Sequence, residues 1–190
     1  TRLPLSSNLN KNFIDTRVSE ARFIRAHAYF EMVKRFGGVP LVTDVIPVQG
    51  TSDQLYRSRN SEKEIYDFIK NEMDEISALL PSIPEADGRI TKWTALALKS
   101  RAMLYAASVA NFGSQQLNGL LGFPISEASS YYQASLDASN QIIQSGAFSL
   151  YKKSDDPVKN FGDLFIDENN NSEVIFVEKY DYDAGKSHQW

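Results

Sequence analysis

The stretch EARFIRAHAYFEMVKRFGGVPLVTD, residues 20–44, decides how this chain is read. At 100° per residue from Ala21, a line of Ile24, Ala28, Met32 and Phe36 stays within about 60° of it. Tyr29, Val33, Ala26, Phe30 and Phe23 widen the apolar arc to about 200°. Glu20, His27, Glu31, Lys34 and Arg35 share the remaining polar strip. A helix so apolar must touch neighbours on more than one side. Gly37 suits a left-handed closing residue, and Pro40 prevents the helix from resuming. Arg22 and Arg25 fall among the apolar positions, where an unpaired charge costs several kcal/mol. The spacing favours a structural ion pair with a carboxylate from another helix and leaves an anion or ligand clamp as the sharper alternative.

The pattern continues outward from this helix. Ser61 followed by Glu64 forms a capping-box signature. Behind it, Ile65, Phe68, Ile69, Met73, Ile76, Leu79 and Leu80 repeat at helical spacing until Pro81 and Pro84. A third helix opens near Thr91, is rich in alanine and ends before Gly113. A fourth follows Pro124 with Ser126 as its expected cap and Tyr132, Leu136, Ser139 and Ile143 as its stripe. The expected helices are thus about 17–36, 61–80, 91–111 and 126–145. DDPVKNFGDLF (residues 155–165) reads as irregular with a small apolar knot. EVIFVEKY predicts a strand over about 173–179, introduced by an asparagine-rich turn. The fold class is mainly α: helical hairpins in series, of the tetratricopeptide type (an α–α superhelix), with minor β-strand near the C-terminus. One domain accounts for residues 1–190.

Composition bounds the function. The chain has 190 residues, 42% hydrophobic and 23% charged, with a net charge of −4 and no cysteine. Disulfides, thiolate catalysis and cysteine-based zinc sites are excluded, and a nucleic-acid footprint is not expected. No apolar run reaches the length of a membrane span. The two histidines, His27 and His188, have no serine or aspartate at a motif spacing, so no hydrolase triad can be assembled from sequence. Asp167, Asn169, Asn171, Val174 and Glu178 follow the spacing of a calcium loop, but Ser172 stands where that loop needs glycine and no helix flanks it. An asparagine-rich turn feeding a strand is the simpler reading. No metal and no cofactor are expected.

Four ordered blocks carry a family resemblance. Residues 20–44 resemble the signature helix of the SusD/RagB family of outer-membrane nutrient-binding lipoproteins. GRITKWTALALKSRAMLYAAS (88–108) is similar to that family's later alanine-rich helix. SGAFSLYKK (145–153) and NFGDLFIDENNNSEVIFVEKY (160–180) resemble its next two blocks, in the same order. The resemblance implies a tetratricopeptide-like scaffold in a non-catalytic protein. Such a protein binds glycans or other nutrients at the bacterial surface, acting as a lid over a SusC-like TonB-dependent transporter. It also implies a lipid anchor in the outer membrane, in a protein more than twice this length, so that the chain is expected to be a fragment.

The family has no fixed ligand motif, so site candidates come from chemistry alone. Sugar faces stack on exposed rings flanked by polar groups. Tyr180, Tyr182, His188 and Trp190 cluster after the expected strand, beside Asp181 and Asp183, and are the ligand-binding candidates. Tyr56 lies in a separate loop, and Trp93 at a helix start reads as packing. Two alternatives stay open: a tetratricopeptide adaptor that binds a peptide in a groove, and a glycan-active enzyme that uses paired carboxylates.

Overall fold

The computed structural model describes residues 10–86, 88–167 and 171–177. Six α-helices are present among them: α1 (Lys11–Phe36), α2 (Ser52–Leu55), α3 (Glu62–Ser77), α4 (Lys92–Phe112), α5 (Ala128–Gln144) and α6 (Pro157–Leu164). The long helices pack in series, α1 on α3, α3 on α4 and α4 on α5. One core runs through all four, built from Phe23, Phe30, Ile65, Ile69, Met73, Met103 and Ala106 with their neighbours. No helix is long and apolar enough to cross a membrane among the described residues.

Local chemistry sets the ends of these helices. The Asn10 side chain accepts from the Asn12 amide at 2.8 Å, which starts α1 well before the expected position. The Ser61–Glu64 capping box forms, with Ser61 N donating to Glu64 Oε2 at 2.7 Å. Thr91 Oγ1 caps α4 by accepting from Thr94 N at 3.3 Å. Ser126 caps nothing; it sits inside a single 3-10 turn, Ile125–Glu127, that leads into α5. The stretch expected to be irregular is helical. Asp156 accepts from the Val158 and Lys159 amides, and Pro157 follows it at the first helical position, a strong start signal.

The end of α1 explains its two glycines. Gly37 adopts φ 65°, and its amide donates back to Val33 O at 2.9 Å. Gly38 is buried because three segments meet there. A Cβ on it would lie 2.1 Å from the Asn60 carbonyl oxygen and 3.1 Å from Leu120 O. Arg59 donates to the Gly38 and Phe36 carbonyls at 2.6 and 2.7 Å, placing a cation at the negative end of the helix. Beyond it, the Tyr29 hydroxyl accepts from Val42 N at 2.7 Å, and Asn60 Oδ1 accepts from Leu41 N at 2.9 Å. The extended segment after the glycines is therefore laid back along α1.

Two expectations need correction. The buried stripe of α5 is Tyr131, Ala134, Ser135 and Ala138, whereas Tyr132, Leu136 and Ile143 face outward. The small residues win the interface because they let α5 approach the alanine face of α4 closely. Ser135 Oγ donates to Ser100 O at 2.8 Å across that contact, and Ser100 and Ser139 share a hydrogen bond of 2.7 Å. The strand expected over 173–179 is absent over 173–177, which form bends; residues 178 and 179 lie outside the described residues. Among the described residues one backbone bond, Ser149 N to Ser172 O at 3.0 Å, joins this segment to its neighbour, and a side chain makes the next, Tyr151 N to Glu173 Oε1 at 2.7 Å. A strand needs a continued ladder to satisfy its backbone, and none is offered there among the described residues.

Gly38→Ala should lower the unfolding free energy by about 2–3 kcal/mol, since backbone atoms must shift to admit the methyl group. Gly162→Ala in α6, where the added carbon meets nothing, should change it by less than about 1 kcal/mol. Urea unfolding of both variants gives the comparison, and equal effects would refute the close-approach account.

Candidate functional site: the charged seam and cleft of the first helix

The most organised polar chemistry lies along α1. Arg22 reaches across to α3 and holds Glu72 with two nitrogens, Nε to Oε2 at 3.1 Å and Nη2 to Oε1 at 2.7 Å. The same Nη2 reaches Glu75 at 2.5 Å. Arg25 Nη2 donates to Glu72 Oε2 at 2.7 Å, and its guanidinium lies 5.4 Å from the centre of the Phe68 ring. Glu72 is buried, while both guanidinia are partly solvated. Burial alone would push the Glu72 carboxyl up, but the hydrogen bonds from Arg22 and Arg25 outweigh it and hold the group below its ordinary range. The Arg22 guanidinium is raised in turn, first by its bond to Glu72. With both arginines occupied by protein carboxylates, this seam is a lock between α1 and α3 rather than an open anion clamp.

A second carboxylate does the opposite. Glu20 looked like part of the polar strip, yet it is 9% exposed. Arg17 Nη1 donates to it at 2.8 Å, and Arg89, from the turn before α4, donates to the same oxygen. Burial wins here and pushes the Glu20 carboxyl above its ordinary value, against the lowering effect of Arg17. Periodicity could not reveal this, because Arg17 and Arg89 arrive from outside the quoted stretch.

Beside Glu20 opens a cleft of about 350 Å³, lined by Phe23, Ile24, His27, Arg89, Ile90 and Phe176. His27 stacks on Phe23 with ring centres 6.2 Å apart, and Phe176 meets Phe23 edge-on at 6.3 Å. A shallower groove of about 420 Å³ lies between the end of α4 and the start of α5. It presents the Tyr132 ring with Asn111, Ser129 and Gln133, an aromatic surface with amide and hydroxyl neighbours. Nothing in the spacing of residues signals this groove, and that spacing assigns Tyr132 to the core.

The ligand candidates Tyr180, Tyr182, His188 and Trp190 lie outside the described residues. Tyr56 stands exposed at the end of α2. Trp93 is half-buried and packs edge-on against Phe148, with ring centres 6.4 Å apart. Of the calcium-loop positions, 168–170 and 178 are outside the described residues. Asp167 is engaged by the Tyr151 hydroxyl at 2.8 Å and by Lys153, and Asn171 donates to Leu164 O at 2.8 Å. No group of three or more metal-ligating side chains is assembled among the described residues.

The Glu72 lock predicts a pH signature. A carboxyl held low contributes stability that is complete above about pH 4.3, its unfolded value, and is lost as pH falls through the folded value. Glu72→Gln should cost about 2–3 kcal/mol at pH 7, at the low end for a broken buried pair because the arginines keep some water. The gap between variant and wild type should narrow below pH 4.3, the unfolded glutamate value. Chemical unfolding across pH 3–7 measures it, and a gap independent of pH would refute the assignment.

Comparisons with known proteins place the chain. The profile of a SusD-like family, described as starch-binding and associating with the outer membrane, matches residues 3–104, more than half of the chain. A SusD-like protein of Formosa agariphila is 27% identical over 90% of this chain and 30% of its own length. A SusD-like protein from Bacteroides fragilis shares the fold with a TM-score of 0.69 at 25% identity, over 92% of this chain and 29% of its own. A laminarin-binding SusD-like protein superposes with a TM-score of 0.64 at 20% identity, over 92% of this chain and 32% of its own, a likeness of fold. The chain thus spans about 30% of the length of the relatives it matches. On the strength of the profile match over more than half of its length, this chain belongs to the SusD-like family.

Proposed function

We propose that this chain is the helical core of a longer, non-catalytic cell-surface protein that binds neutral oligosaccharides and passes them to a SusC-like TonB-dependent transporter, from a lipid-anchored position on the outer membrane. The observation that carries the reading is the profile match over residues 3–104, to a family described as starch-binding and outer-membrane associated. The fold shared with a laminarin-binding protein supports a glycan ligand. The helices supply what such a binder needs, a rigid block from which loops project. On this reading Tyr180, Tyr182 and Trp190 provide stacking surfaces and His188 a polar flank. Arg22 and Arg25 serve the scaffold and not the ligand.

Stacking on an exposed ring is worth about 1–1.5 kcal/mol. Trp190→Ala or Tyr182→Ala in the longer protein should therefore weaken oligosaccharide binding by about tenfold. Raising the salt concentration should change little, because screening acts on charges and the ligand carries none. Calorimetry with starch and laminarin fragments tests both points; unchanged affinity in both variants removes these residues from the site. Incubation with a polysaccharide panel should release no reducing ends. Sustained release that a carboxylate substitution abolishes would overturn the non-catalytic reading.

A further inference from the structure

The packing of α5 leaves an unusual surface outside. Because α4 and α5 meet through the small residues Ala134, Ser135 and Ala138, the rings and chains of Tyr132 and Leu136, one turn apart, stand exposed together. Ser129 lies one turn before Tyr132 on the same face, and Gln133 follows it. Asn111, in the last turn of α4, and Ile125, in the 3-10 turn before α5, close the other side of the groove of about 420 Å³. That volume falls within the range of small-molecule clefts, about 300–1,000 Å³.

The polar groups of this groove are idle. The Tyr132 hydroxyl and the side chains of Asn111 and Ser129 make no hydrogen bond among the described residues. Their neighbours do: Ser130 Oγ donates to Glu127 O at 2.8 Å, and Gln133 Nε2 donates to Asp137 Oδ1 at 2.7 Å. Asn111 is half-buried, so its amide is less freely hydrated than one on an open face. No side chain lining the groove is charged.

We infer that the groove between the end of α4 and the start of α5 is a further saccharide subsite, which takes a neutral sugar by the apolar face of its ring. Tyr132 presents the stacking surface. The Asn111 amide and the Ser129 hydroxyl can each donate and accept, which matches the mixed character of neighbouring sugar hydroxyls. Gln133 commits its amide nitrogen to Asp137 and keeps its oxygen as an acceptor. Leu136 and Ile125 flank the ring with the apolar surface that sugar C–H groups need. An ionic ligand would find no counter-charge here, and an apolar peptide side chain would leave the amide and hydroxyls unsatisfied. The groove lies at the far end of α4 from the cleft at Ile90, about 30 Å along the helix. The inference rests on the glycan reading for the class of ligand and on none of the residues named there.

The test uses the longer protein, labelled at isoleucine and leucine methyl groups, with maltotriose and laminaritriose as probes. In methyl NMR spectra the Ile125 and Leu136 signals should shift as one of the two sugars is added. They should still shift in a variant carrying Tyr182→Ala and Trp190→Ala. Tyr132→Ala should weaken the binding that these signals report by about tenfold, the effect of one lost stacking contact. Tyr132→Phe, which keeps the ring, should weaken it by less than about threefold. Tyr132 is exposed, so neither change removes a core contact. Sugar binding with both methyl signals unmoved overturns the subsite and leaves the glycan reading standing. Absence of any sugar binding overturns both. An equal response to a galacturonate trimer overturns the assignment to neutral sugars, and a Tyr132→Ala variant that binds as tightly as wild type overturns the stacking role.

Discussion

The close approach at Gly38 is the constraint on which the arrangement depends. The carbonyl of Asn60 occupies the space where a side chain would begin, and the carbonyl of Leu120 lies just beyond. Three segments distant in sequence thus pass within backbone contact: the exit of α1, the entry of α3 and the loop that joins α4 to α5. Glu62 ties them further, its amide donating to Leu120 O at 2.9 Å and its carboxylate accepting from Gly122 N at 2.8 Å. Where the chain leaves α1 therefore fixes where α3 starts and how the later loop returns. A side chain at position 38 would disturb all three at once.

Two buried carboxylates then fix α1 rotationally. Glu72, on α3, draws in Arg22 and Arg25 of α1, and Glu20, on α1 beside Arg17, draws in Arg89 from the turn before α4. Their environments differ in sign. Two arginines overcome the burial of Glu72, whereas burial dominates at Glu20. Apolar packing alone would leave a helix so evenly apolar free to settle on several faces; the directed pairs select one. The charges in the apolar arc therefore act as register marks for the helix.

This construction suits a scaffold. Aromatic pairs meet edge-on, Phe30 of α1 with Tyr105 of α4 and Tyr66 of α3 with Phe123 of the loop before α5, and the Tyr131 hydroxyl donates to Asp67 at 2.6 Å between α5 and α3. The arginines that could have faced a ligand are consumed internally, and His27 is held against a phenylalanine ring.

Local signals in the sequence settled the four long helices and their order, because caps, stop residues and the 3.6-residue period act over a few positions. Ser61 with Glu64, Thr91 and Gly37 each did so within one turn. The family resemblance was legible too, since it rests on ordered residues and not on geometry. Other features lay beyond local reading. Spacing assigned Tyr132, Leu136 and Ile143 to the α5 interface, but the depth of approach to α4 chose the smaller face with Ala134, Ser135 and Ala138. The segment 173–177 had the right residues for a strand, but no strand partner for it is present among the described residues. Glu20 looked solvated until Arg89 arrived from 69 residues away. Sequence determined which residues were apolar or charged and where the helices capped by Ser61 and Thr91 began; tertiary structure decided which of them meet, because partners for buried charge and backbone are supplied by distant parts of the chain.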